Sequence, residues 1–106
     1  MNITTNPELN TLLRLEQWFE SMCNGDWEHT YGITIETLDN PGWHVSVELS
    51  DTPLAEFPFQ AIRQDFDKDD WFQCEVSKGI FQGSCSTGRL NQLLNAFLDW
   101  ADSARA

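Results

Sequence analysis

Between Glu8 and Cys23 the apolar residues Leu9, Leu12, Leu13, Leu15, Trp18, Phe19 and Met22 recur at three- and four-residue steps. That spacing predicts an amphipathic helix with a wide buried face. Asn6 is placed to cap it, and Pro7 to open it where a missing N–H costs nothing. Asn24-Gly25 predicts its end, because glycine accepts the left-handed backbone common after a helix.

The period then changes to two. Tyr31, Ile33 and Ile35 alternate with Gly32, Thr34 and Glu36, and Trp43, Val45, Val47 and Leu49 alternate with His44, Ser46 and Glu48. These segments predict two strands, each with one buried face, joined as an antiparallel hairpin through Asp39-Asn40-Pro41-Gly42. From Thr52 to Gln60, two prolines in an otherwise apolar segment predict a loop or an edge strand. Arg63 to Asp70, "RQDFDKDD", is polar enough to predict a solvated acidic loop. The segment "WFQCEVSKGIFQG" predicts a second hairpin turning at Ser77-Lys78-Gly79, with Phe72, Cys74 and Val76 on one face.

A final helix is expected after a cap at Ser86 or Thr87. Leu90, Leu93, Leu94, Phe97 and Ala101 form its inward stripe, with Leu98 and Trp100 on the flanks. Strands bracketed by helices predict an α+β domain: a mostly antiparallel sheet of four to five strands with an N-terminal and a C-terminal helix packed on it. No repeat or linker divides the sequence, so residues 1–106 read as one domain.

Composition sharpens this picture. A chain of 106 residues buries about 65% of its unfolded surface, enough for one core. Five Trp and seven Phe predict a core rich in large rings. Seventeen acidic and six basic residues leave a net charge of −11, which repels nucleic-acid phosphates and anionic lipid and attracts a basic protein. The N-terminal residues carry no secretory pattern and no window is apolar enough to span a membrane, so a cytoplasmic protein is expected.

Candidate chemistry is sparse. Three cysteines without a CxxC spacing predict reduced thiols rather than a disulfide framework or zinc site. Cys23 and Cys74 fall on apolar faces and are expected to be buried and inert, leaving Cys85, in "GSCSTG", as the exposed thiol. Asp26, Glu28 and His29 cluster in sequence and offer an alternative small-ligand, metal or minor enzymatic site. No calcium-loop order, phosphate cradle or nucleophile elbow supports a reaction, and no catalytic set, metal or cofactor is expected. Trp43 reads as a core residue. Trp27, flanked by Asp26 and Glu28, reads as partly exposed, in the manner of an interface aromatic ringed by carboxylates.

The blocks "LEQWFESMCNGDWEH", "YGITIETLDNPGW", "DWFQCEV" and "LNQLLNAFLDWA" together resemble the immunity protein 53 family, over nearly the whole chain. The resemblance implies an immunity protein of a bacterial polymorphic-toxin system, binding and neutralising a cognate toxin domain and catalysing nothing. With the charge, it points to a basic toxin domain as partner, its cleft occluded by an acidic mimic. On that reading the toxin-facing residues are Asp26, Trp27, Glu28 and Asp39, with Asp65, Asp67, Asp69 and Asp70 as an electrostatic rim.

Overall fold

A computed structural model describes residues 7–105. Helix α1 spans Pro7–Met22 and a short helix, α2, spans Trp27–Thr30. Five strands follow: β1 (Ile33–Leu38), β2 (Gly42–Glu48), β3 (Ile62–Asp67), β4 (Asp70–Ser77) and β5 (Ile80–Cys85). Helix α3 (Leu90–Ser103) completes the α+β fold. The expected cap Asn6 lies outside the described residues, while Gly25, at φ +97°, takes the left-handed conformation after α1.

All strand pairings are antiparallel, in the order β1-β2-β5-β4-β3. Registers Val45↔Gly83↔Cys74 and Val47↔Phe81↔Val76 put the branched and aromatic side chains of three central strands on one face. That face takes the helices. Gly83 sits beneath α3: a Cβ there would run into Leu93 Cδ1 and lie 3.1 Å from Cys74 Cβ. A glycine in a central strand thus lets the helix seat on the sheet.

Five of the sixteen buried hydrophobic residues among those described carry large rings, in line with the composition. Phe97 of α3 meets Trp18 of α1 edge-on at 5.0 Å and Phe81 of β5 at 5.1 Å. Phe59 and Trp100 meet at 5.0 Å, so the proline-containing segment folds back over the core instead of adding a strand. Trp100 Nε1–H donates to the Pro58 carbonyl at 2.8 Å. Arg14 bridges the helices, its guanidinium donating to Asn95, Asp99 and Asp102 of α3 at 2.8–3.1 Å.

Several expectations are corrected. "RQDFDKDD" is not a solvated loop: it forms β3, the β3–β4 turn and the start of β4. An edge strand has few buried neighbours and so tolerates Gln64 between Ile62 and Phe66, which leaves its apolar period too weak to read. The final helix begins at Leu90 without a side-chain cap. Ser86 instead accepts the Trp71 N–H at 3.1 Å and ties β5 to β4. Trp43 lies half-buried at the core margin, its indole N–H donating to the Thr87 carbonyl at 3.1 Å. The thiols are also reversed: Cys23 is exposed and Cys85 fully buried, with Cys74 buried as expected.

The broadest correction concerns α1. Leu15 and Trp18 enter the core, but Leu12, Leu13 and Phe19 are 60%, 52% and 39% exposed.

Candidate functional surfaces

The antiparallel order gives the sheet two distinct ends. Following the registers, the β1–β2 turn, the β3–β4 turn and the start of α3 lie at one end. The β4–β5 turn and the entry into β1 from α2 lie at the other. The residues expected to face a partner therefore divide. Asp39, Asp65, Asp67, Asp69 and Asp70 belong to the first end, Asp26, Trp27 and Glu28 to the second.

Around α2 the chain ties itself into a small knot. Asn24 Oδ1 accepts the backbone N–H groups of Asp26 and Trp27, both at 2.9 Å. In return the Glu28 carboxylate accepts those of Asn24 and Gly25, also at 2.9 Å. This reciprocity resembles a capping box. Its own backbone N–H, followed by those of Asn24 and Gly25, holds the Glu28 carboxyl below the usual carboxylate range. Both oxygens of Glu28, one of the three candidate ligands, thus serve the turn. Among the described residues no group of three or more His, Cys, Asp or Glu is placed to hold a metal ion.

Trp27 is not partly exposed: it is buried to 3% exposure. Its indole meets Trp18 and Phe19 edge-on at 6.0 Å, and its Nε1–H donates to the Ser50 carbonyl at 2.9 Å. The reason is local. A four-residue helix turns its first side chain inward beneath α1, while Asp26 stays exposed. The carboxylates beside Trp27 in sequence do not ring it in space.

At the other end, Asp39 is exposed in its turn and Asp67 accepts the Asp69 N–H at 3.0 Å. Asp65 pairs with Arg63 at 3.2 Å and Asp69 with Lys68 at 3.6 Å, exposed pairs that add little stability. Asp70 differs. It receives two charge-assisted bonds from Arg89, at 2.6 and 2.7 Å, and the Arg89 guanidinium lies 3.8 Å over the Phe66 ring. These bonds hold the Asp70 carboxyl below its ordinary value and tie the start of β4 to the start of α3. Asp70 is therefore engaged in the fold, whereas Asp39, Asp65, Asp67 and Asp69 remain exposed.

The sheet face away from the helices is polar. His44, Ser46, Gln73, Glu75, Gln82 and Ser84 share it, with His44 Nδ1 3.1 Å from Ser84 Oγ. Between β2 and β3 it dips into a depression of about 330 Å³ that also touches Arg63. Asp26, Glu28 and His29 do not line it.

No helix among the described residues is long and apolar enough to cross a membrane. In comparisons with known proteins, neither a curated protein nor a solved structure matches. The model of the immunity protein 53 family does match, over residues 12–102. This span takes in most of α1, the α2 knot, all five strands and nearly the whole of α3. The chain belongs to the immunity protein 53 family.

Proposed function

We propose that this protein binds and neutralises a cognate bacterial toxin domain by direct protein–protein contact, acting in the cytoplasm of the cell it protects. Family membership is the observation that carries the reading. Net charge gives it a mechanism: at −11 the protein attracts a basic toxin domain and repels nucleic acid and anionic lipid. A toxin that handles nucleic acid presents a basic cleft, which carboxylates held on a rigid sheet enter as phosphate mimics.

Asp39, Asp65, Asp67 and Asp69 suit that role, being exposed in or beside two turns at one end of the sheet. As rim charges they set the association rate and its salt dependence more than the lifetime of the complex. Asp26 adds charge at the other end, while Glu28, Asp70 and Trp27 support the surface from within the fold. Nuclease–immunity pairs reach dissociation constants of about 10⁻¹³ M or tighter, so a standard interface of about 800 Å² per partner is sufficient.

Co-expression with the toxin domain encoded beside this chain tests the reading. Rescue of growth together with a stable purified complex is expected; continued toxicity with no complex would overturn it. Neutralising Asp65, Asp67 and Asp69 together is expected to slow association at low salt and flatten its salt dependence. An unchanged rate would remove the steering role.

A further inference from the structure

The exposed side of α1 is unusual for a helix at the surface of a monomer. Of the five large hydrophobic residues exposed on the described surface, Leu12, Leu13 and Phe19 lie on this one helix. At about 100° per residue, Leu12, Leu13, Glu16, Phe19, Glu20 and Cys23 share an arc of about 120°. The core-facing Thr11, Leu15 and Trp18 lie on the other side. Leu13, Glu16, Phe19, Glu20 and Cys23 line a shallow depression of about 670 Å³. Phe19 rests edge-on against buried Trp27 at 6.0 Å, so the knot around α2 supports one end of the patch.

Charge indicates what covers it. The one cation in α1, Arg14, is turned away into Asn95, Asp99 and Asp102 of α3. Glu16 and Glu20 thus sit among the leucines, and neither takes part in an ion pair among the described residues. A second copy of this chain would bring the same carboxylates together, with −11 on each molecule, and like charges at an interface are costly. A protein surface with apolar side chains flanked by Lys or Arg fits both the leucines and the glutamates. Large apolar side chains exposed together on one helix face mark a binding site.

We infer that the outer face of α1 is the docking surface for the basic toxin domain, with Leu12, Leu13 and Phe19 as its apolar anchors and Glu16 and Glu20, which lie between them, as the charges that meet the partner's Lys or Arg. This rests on the function proposed above. It moves the apolar part of the interface from Trp27, which is buried, to the helix lying over it. Leucines desolvated on binding set the dissociation rate; the glutamates set the approach.

The test uses the full chain and the purified toxin domain of the adjacent reading frame. Leu12→Gln with Leu13→Gln is expected to raise Kd about tenfold or more, mainly through faster dissociation. Glu20→Lys is expected to slow association, and His44→Ala, on the polar sheet face, to leave binding unchanged. Cys23 gives an independent readout: it is exposed while Cys74 and Cys85 are buried, so a maleimide reports on Cys23 and its labelling should fall when toxin is bound. Wild-type binding that persists unchanged in the leucine variant, with Cys23 still labelled, would overturn the docking surface and leave the functional reading intact. Failure of the wild type to bind would overturn both. A wild-type dimer that the leucine variant dissolves would assign the patch to a second copy and overturn the toxin as its occupant.

Discussion

The two long helices carry similar apolar repeats and put them to different uses. In α3 the large apolar residues Leu90, Leu93, Leu94, Phe97, Leu98 and Trp100, with Ala101, span an arc of about 160°, which a single core contact can cover. Five of them are buried, Leu93 and Phe97 completely. In α1, Leu12, Leu13, Leu15, Trp18, Phe19 and Met22 span about 220°, more than one face can hide. The core takes Leu15 and Trp18 and leaves Leu12, Leu13 and Phe19 outside. Periodicity therefore identifies both helices, but the width of the apolar arc separates a helix that serves the fold alone from one with surface left over.

Phe97→Ala should produce the largest effect. Its ring is the meeting point of Trp18, Phe81 and Trp100, and truncating such a ring costs about 3–5 kcal/mol. Urea unfolding should show the loss as a lower midpoint at unchanged slope; a loss below about 1 kcal/mol would mean that α3 does not hold the core. Trp27→Phe comes next. It keeps most of the ring but removes the N–H that satisfies the Ser50 carbonyl, a change worth about 1–3 kcal/mol. A melting temperature equal to that of the wild type would return Trp27 to the role of surface aromatic.

What could be read from the sequence follows from the same contrast. The β1–β2 and β4–β5 hairpins were legible because β2, β4 and β5 alternate between a buried and an open face, and because Asn40-Pro41-Gly42 and Lys78-Gly79 turn the chain. β1 was legible because it keeps Ile33 and Ile35 two apart although, as an edge strand exposed from Thr34 to Thr37, it lacks the buried face expected of it. β3 was not, since its exposed edge position tolerates Gln64 between Ile62 and Phe66, which leaves no apolar pair two residues apart. Local charge misled at Trp27: flanking carboxylates are neighbours in sequence, whereas a one-turn helix decides which way the ring points. Cys23 was misplaced because it continues the surplus side of α1. Summing the arc of α1 would have exposed both that surplus and the surface now inferred.

Asp70→Asn should give a smaller, pH-dependent loss, and it examines how the start of α3 is tied to the sheet. Arg89 lowers the Asp70 carboxyl below its ordinary value of 3.8. A carboxyl depressed in the folded state contributes stability above its unfolded pKa and loses it as pH falls through the folded one. The gap between wild type and variant should therefore be constant near neutrality and close below about pH 4. Unfolding curves from pH 6 downward check this; a gap independent of pH would show that the charge of Asp70 contributes nothing through Arg89.

The smallest effect on stability is expected from Leu12→Gln and Leu13→Gln. In α3 the same substitution at Leu93 would bury an amide with no partner, a severe defect. On the outer face of α1 the side chains are already more than half exposed, so each change should alter unfolding free energy by no more than about 0.5 kcal/mol. Glutamine is also nearly as good a helix former as leucine, which removes propensity as a cause. If either variant lost 2 kcal/mol or more, these leucines would be core residues and the two helices would be alike after all. A neutral result means that folding does not account for two adjacent leucines at this surface, and leaves binding as the property on which their substitution should register.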